Sequence, residues 1–161
     1  MAIVKSVMKT NLKVCAPGSM VKAVATQMRD LKLGAILVVE NDELKGIFTE
    51  RDLLNRVVAE GRDPNSTPVM DVATSNPVVV RQNAHIRECA VILNQRGFRH
   101  LPVLGDDGKP VGIVSSRDFF RYMTEQLETV IDKVRLSDNP EEESLDIYEL
   151  IGGGGYGIPH S

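Results

Sequence analysis

Apolar residues along this chain switch between two periods, and the switches mark its elements. Residues 12–15 read as a short strand. Pro17-Gly18-Ser19 is turn chemistry, with Ser19 placed to cap a helix. Val21, Val24, Ala25, Met28 and Leu31 then fall at helical spacing. An unbroken apolar run over 35–39 predicts a buried strand. Asn41-Asp42-Glu43 predicts a tight turn into a second strand over 44–48. Leu53, Leu54, Val57 and Val58 restore the helical period to about residue 60. Gly61 and the run to Pro68 stop it. The order strand, helix (84–95), strand, strand, helix then recurs.

The recurrence is an internal repeat offset by about 65 positions. Asn11-Leu12-Lys13-Val14 falls on Asn76-Pro77-Val78-Val79. Val21, Val24, Ala25 and Met28 fall on Ile86, Cys89, Ala90 and Leu93. Ile36-Leu37-Val38-Val39 falls on Leu101-Pro102-Val103-Leu104. One extra residue in the 105–108 loop restores register. Two copies are too few for a solenoid. Each copy predicts β-α-β-β-α, a three-stranded sheet with two helices on one face, which buries too little alone. The expected fold class is therefore α+β. Two units related by a pseudo-twofold pack sheet to sheet around a shared core, followed by an extended C-terminal helix and a mobile tail. The expected divisions are a first unit over 1–60, a linker over 61–68, a second unit over 69–126, a helix extension over 127–136 and an acidic, glycine-rich tail over 137–161.

The repeat is sharpest at one strand-to-helix junction. Gly46-Ile47-Phe48-Thr49-Glu50-Arg51-Asp52 matches Gly112-Ile113-Val114-Ser115-Ser116-Arg117-Asp118. A hydroxyl followed three residues later by an acid is a capping-box pattern, and the acid suits the positive end of the helix dipole. A carboxylate at a strand end also matches the paired hydroxyls of a ribose, a solution that dinucleotide folds use. Both readings stay open on spacing alone.

These junctions, the Val7-Met8 and Val69-Met70 openings and the Gly97-Phe98-Arg99-His100-Leu101-Pro102-Val103 strand make the chain, over about residues 5–125, resemble a tandem pair of CBS (cystathionine-β-synthase-type) domains. Such a pair is called a Bateman module, here of the stand-alone bacterial type. The resemblance implies two clefts between the units, in each of which the acid of one unit holds a ribose and the other unit supplies the base pocket. One cleft would use Ser115 and Asp118, with the base near Thr10, Leu12, Lys13, Leu33, Gly34 and Ala35. The other would use Thr49 and Asp52, with the base near Ser75, Pro77, Val78, Phe98, Arg99 and His100. The implied ligand is an adenine nucleotide (AMP, ADP or ATP) or a related adenosyl compound such as NAD or S-adenosylmethionine, and no cofactor is implied. The implied role is regulation of a separate protein according to nucleotide status. A dimerisation scaffold with vestigial clefts is the alternative. Arg99-His100 breaks the symmetry, because the first unit has Gly34-Ala35 there. A guanidinium beside an imidazole suits a phosphate.

Composition narrows the field further. The 161 residues hold no Trp and little aromatic content, so the core is aliphatic. No apolar run approaches the roughly 20 residues that cross a bilayer, and no secretion signal is present, so the cytoplasm is expected. The net charge of −3 is uneven. All 19 Lys and Arg precede residue 137, while six of 22 acids follow it, leaving the body mildly basic. That suits phosphates and is too weak and unpatterned for nucleic acid. His85, His100 and His160 are scattered, the cysteines form no CxxC spacing, and no serine sits in a nucleophile elbow. The chain reads as a non-enzyme. Cys89, on an apolar helix face, reads as a small core residue. Phe119, Phe120, Met123, Leu127, Val130, Ile131 and Val134 extend an apolar stripe beyond what the first unit needs, which predicts a partner surface, a homodimer being the expected use. The four glycines at 152–155 read as a linker rather than a phosphate loop.

Overall fold

Two hairpins, each leading into a helix, dominate the computed structural model, which describes residues 2–136, with side chains through 133. The first half runs β1 (Val14–Cys15), α1 (Val21–Asp30), β2 (Ala35–Glu40), β3 (Glu43–Thr49) and α2 (Glu50–Asp52), which widens into π-helical turns over Leu53–Val58. A short strand, β4 (Thr74–Ser75), follows the connection. The second half runs β5 (Val80–Arg81), α3 (Ile86–Arg96), β6 (His100–Leu104), β7 (Pro110–Ser115) and α4 (Ser116–Leu136). The α+β class and the duplicated β-α-β-β-α order are as the apolar pattern predicts. The tail over 137–161, with its glycine run, lies outside the described residues.

The two halves share their hydrogen-bonding register. In each, a parallel pair precedes an antiparallel hairpin: Val14 lies opposite Leu37 and Val80 opposite Val103. Ala35 lies opposite Thr49, and His100 opposite Ser115. Each hairpin carries an irregularity at the same place, between Val38 and Val39 and between Val103 and Leu104. The first hairpin closes through Asn41 and Asp42, whose φ angles of 51° and 63° suit the two-residue turn that follows strand twist.

Ser19 does not cap α1. The cap position is Met20, which offers no side-chain bond, and the Ser19 carbonyl instead accepts from Val69 N at 2.8 Å. The sheets also differ from the three strands expected of each. The first has four strands, in the order β1-β2-β3-β4, and the second three, β5-β6-β7. The added strand β4 belongs to the chain that leads into the second half. Its counterpart, Lys9, makes a single antiparallel bridge to Ile113 of β7. Each lead-in segment thus pairs with the opposite half's sheet.

The cores repeat this exchange. Val69, Val72 and Ala73 complete the core built from α1, β2, β3 and the π-helical segment. Val4 and Val7 complete the core built from α3, β6 and β7. Val4 and Val69 have no exposed surface, and each such burial contributes about 1.5–3 kcal/mol. A third cluster joins the sheets: Ala35, Leu37 and Ile47 pack with Leu12, Val39, Leu44 and Ile113. The halves therefore stabilise one another at three places. Cys15 and Cys89 are buried within the two main cores. Burial pushes both thiols up to about 11, which leaves them unreactive.

Helix α4 runs about 30 Å at 1.5 Å per residue, well past the span of its counterpart. Val130 is buried, while Leu127 and Ile131 are about half exposed and Phe120 is 71% exposed. Among the described residues no helix is long and apolar enough to cross a membrane.

Candidate functional site

Both junctions fold as capping boxes. At the first, Thr49 N and Thr49 Oγ1 donate to Asp52 Oδ2 at 2.9 and 2.7 Å, and Asp52 N donates back to Thr49 Oγ1 at 3.2 Å. At the second, Ser115 N and Ser115 Oγ donate to Asp118 Oδ2 at 3.0 and 2.5 Å, and Asp118 N donates to Ser115 Oγ at 3.2 Å. One oxygen of each acid is thereby committed to its own backbone. The helices form here because the box satisfies amides that the first turn leaves orphaned.

The second oxygens differ. Among the described residues, the cation that pairs with Asp52 Oδ1 is the Arg56 guanidinium, at 3.5 Å. That guanidinium is anchored elsewhere, since Arg56 Nη1 donates to the carbonyls of Val72 and Ala73 at 3.1 and 2.9 Å. Asp118 Oδ1 is gripped by Lys9 Nζ at 3.0 Å and Arg121 Nη2 at 3.2 Å. Burial disfavours the Asp118 charge, yet the Ser115 hydroxyl, the Lys9 ammonium and the Ser115 amide together hold the carboxyl below its ordinary value.

Asp52 stands at the edge of a cleft of about 240 Å³ between the halves. Thr49 and Asp52 contribute from the first half. Pro77, Val78, Phe98, Arg99 and His100 contribute from the second. These are seven of the eight residues expected around Asp52. Ser75 is not among them. Thr74 lines the cleft instead, because consecutive strand residues face opposite ways. Glu50, Arg51, Arg56, Ile47 and Gly34 complete the lining. The equivalence of Lys9 and Thr74, one residue before Thr10 and Ser75, is the signal that points to Thr74.

The residues expected around Asp118 are more dispersed. Leu12 and Ala35 belong to the layer between the sheets. Leu33 packs on the first core. Thr10 is exposed, and its carbonyl accepts from Leu12 N; Lys13 is half-buried. Gly34 faces the Asp52 cleft. A Cβ there would lie 3.1 Å from His100 Cε1 and 3.3 Å from Nε2, so the imidazole occupies the space that glycine leaves.

His100 thus separates the two junctions. Burial lowers its imidazole below the ordinary value; Asp118 and Glu50 raise it, while Lys9 and Arg99 lower it again. Arg51 and Arg99 are exposed and form no ion pair among the described residues. The cleft accordingly presents a carboxylate oxygen, an apolar wall of Pro77, Val78 and Phe98, and guanidinium groups at its mouth. No cluster of His, Cys, Asp and Glu among the described residues could hold a metal.

Comparison with known proteins agrees with this architecture. The CBS-domain family model matches residues 4–59 and 69–125. CBS domain-containing protein YhcV of Bacillus subtilis is 35% identical over 118 residues, covering 73% of this chain and 83% of the relative. The uncharacterized protein MK0525 of Methanopyrus kandleri is 30% identical over 113 residues, 70% of this chain, and the match spans only 58% of that relative's length. Among solved structures, the CBS domain protein PAE2072 of Pyrobaculum aerophilum, complexed with AMP, superposes with a TM-score of 0.70 at 25% identity, covering 80% of this chain and 99% of that one. The chain belongs to the CBS-domain family, with two such domains in tandem.

Proposed function

We propose that this chain is a regulatory module that binds an adenine nucleotide in the Asp52 cleft and reports its occupancy to a separate protein. The observation that carries this reading is the meeting of three chemistries in one cleft. Asp52 keeps an oxygen for the ribose hydroxyls, Pro77, Val78 and Phe98 offer a surface for a flat base, and Arg51, Arg99 and His100 surround the place for phosphate. The cleft volume, about 240 Å³, sits below the usual range of roughly 300–1,000 Å³ for enclosed ligands. That favours a mononucleotide, with its phosphates at the mouth, over NAD. The AMP held by the Pyrobaculum relative supports the same ligand class.

A ligand there touches both halves. It therefore favours whichever relative pose of the halves fits it better, and a partner that distinguishes the poses reads the change. Calorimetric titration with AMP, ADP, ATP, NAD and S-adenosylmethionine tests the reading. At least one is expected to saturate, and Asp52→Asn is expected to weaken it about tenfold or more, the equivalent of about 1.4 kcal/mol. Silence across the whole panel overturns it.

A scaffold reading is favoured by one observation, the exposed stripe of Phe120, Leu127 and Ile131 on α4. In that reading the stripe pairs two copies of the chain and the clefts are vestigial. Pairing and nucleotide binding are compatible, so only the titration separates the two.

A further inference from the structure

The two lips of this pseudo-symmetric module are built alike but finished differently, and the difference lies in the lead-in segments. Lys9 bridges β7: its N–H donates to the Ile113 carbonyl at 2.9 Å, and Ile113 N–H donates to the Lys9 carbonyl at 3.1 Å. Thr74 lies opposite Ile47 in the same relation to β3. The approach is equally close in both places. A Cβ on Gly112 would lie 2.9 Å from the Lys9 carbonyl oxygen, and one on Gly46 would lie 2.8 Å from that of Thr74. Lys9 and Thr74 are therefore held at the same place by their backbones, and only their side chains distinguish them.

Those side chains set the fate of each acid. The Lys9 ammonium reaches Asp118 Oδ1, joined by Arg121 from one turn along α4. Asp118 is left 2% exposed, with both oxygens engaged. Thr74 is too short and carries no charge; Asn55, the counterpart of Arg121, is exposed. Asp52 lies on a cleft lined by Thr74 and keeps an oxygen whose nearest cation is held off at 3.5 Å.

We propose that Lys9 is the residue that decides which lip takes ligand: it occupies Asp118 as an internal counter-ion, so that one adenine nucleotide binds per chain, at Asp52. This rests on the nucleotide-binding reading above. A ribose approaching Asp118 must displace an ammonium and a guanidinium, each in a charge-assisted bond, in exchange for neutral hydroxyl donors. Hydroxyl bonds to a carboxylate are charge-assisted too, but they bring no counter-charge, so the exchange leaves a carboxylate with a 1% exposed side chain uncompensated and is unfavourable. At Asp52 the one cation is Arg56, a longer contact at 3.5 Å whose guanidinium keeps its bonds to the Val72 and Ala73 carbonyls when a ribose takes the oxygen.

The test is AMP calorimetry on the full chain and on variants that exchange the two finishes. Wild type is expected to bind one AMP per chain. Asp52→Asn should weaken it about tenfold or more, while Asp118→Asn should change it by no more than about twofold. Lys9→Thr combined with Arg121→Asn copies the first lip onto the second and should raise the stoichiometry to two. Thr74→Lys copies the second onto the first and should abolish binding. Two AMP per wild-type chain, an equal loss in Asp118→Asn, or an unchanged stoichiometry in the double variant each overturns the proposal. A chain silent to AMP, ADP, ATP, NAD and S-adenosylmethionine alike would remove the nucleotide reading, and a second measurement then decides the role of Lys9 alone. Carboxyl NMR titration should show Asp118 protonating at higher pH in Lys9→Thr than in wild type. No change there overturns the counter-ion arrangement whether or not AMP binds.

Discussion

The Thr49–Asp52 and Ser115–Asp118 junctions share sequence pattern and capping bonds, yet only one presents an acid with bonding capacity to spare. The comparison separates two levels of control. Residues three apart set the cap, and they set it identically in both copies. A residue brought in by a lead-in segment, Lys9 in one case and Thr74 in the other, sets whether the acid is occupied. The largest consequence is for stability. Asp118→Ala keeps the bond from residue 118's own amide to Ser115 Oγ but removes the carboxylate arm of the capping box and the charge-assisted bonds to Lys9 and Arg121, so a loss of about 3 kcal/mol is expected in urea unfolding. Asp52→Ala likewise keeps the amide bond to Thr49 Oγ1 and loses the carboxylate arm and the long Arg56 contact, while Arg56 stays bonded to Val72 and Ala73, so a loss nearer about 1 kcal/mol is expected. Equal losses would show that the two lips are energetically equivalent, and the distinction between them would fail.

The lead-in segments allow a second comparison, between the halves as stability units. Val4 precedes the first half but completes the second core; Val69 follows the first half and completes its core. Val4→Ala and Val69→Ala should each cost about 2 kcal/mol, from lost burial plus an incompletely collapsed cavity. Hydrogen exchange should show the loss of Val4 first in α3 and β6, distant in sequence, rather than in α1. Loosening of α1 instead would mean that the exchanged cores are not independent contributors.

The two hairpins and the helices α1 and α3 were legible because each carries several apolar residues at a single period, enough to outweigh local ambiguity. Capping was legible because a hydroxyl and an acid three apart suffice to form it. What escaped is what has no period. Strand β4 is two residues long, and Lys9 pairs through one bridge, so neither leaves an alternation to read. The off-by-one between Ser75 and Thr74 follows from the same shortness: with two residues, nothing in the pattern says which faces the cleft. The grip of Lys9 on Asp118 depends on the exchange of lead-in segments, a long-range pairing that the duplicated pattern does not encode.

A smaller effect is expected where the halves meet at Gly34. Its Cβ would press on His100, and overpacking of this kind starts at about 1 kcal/mol. Gly34→Ala should therefore destabilise by about that amount and weaken AMP by moving His100 within the cleft. The pseudo-symmetric position, Arg99, is exposed, and Arg99→Ala should leave stability within about 0.5 kcal/mol of wild type.

The smallest effect concerns pH and uses the remaining asymmetry, His100 against Ala35. Burial depresses the His100 imidazole; Asp118 and Glu50 oppose this, and Lys9 and Arg99 reinforce it. A depressed imidazole stays neutral in the folded chain while the unfolded chain takes up a proton near its ordinary value of 6.5. The unfolded state then binds more protons, so stability is full above that value and declines as pH falls through it towards the lower folded value. Asp118 shows the same sign in a separate window: its contribution is full above the ordinary carboxylate value of 3.8 and is lost as pH falls through the lower folded value. Urea midpoints followed from about pH 8 down to about pH 5 should therefore fall in wild type and stay flatter in His100→Ala, which copies the first half's residue, with His85 common to both. An identical slope in the two proteins would mean that His100 does not sense its position between the junctions, and that the asymmetry of the module rests on Lys9 alone.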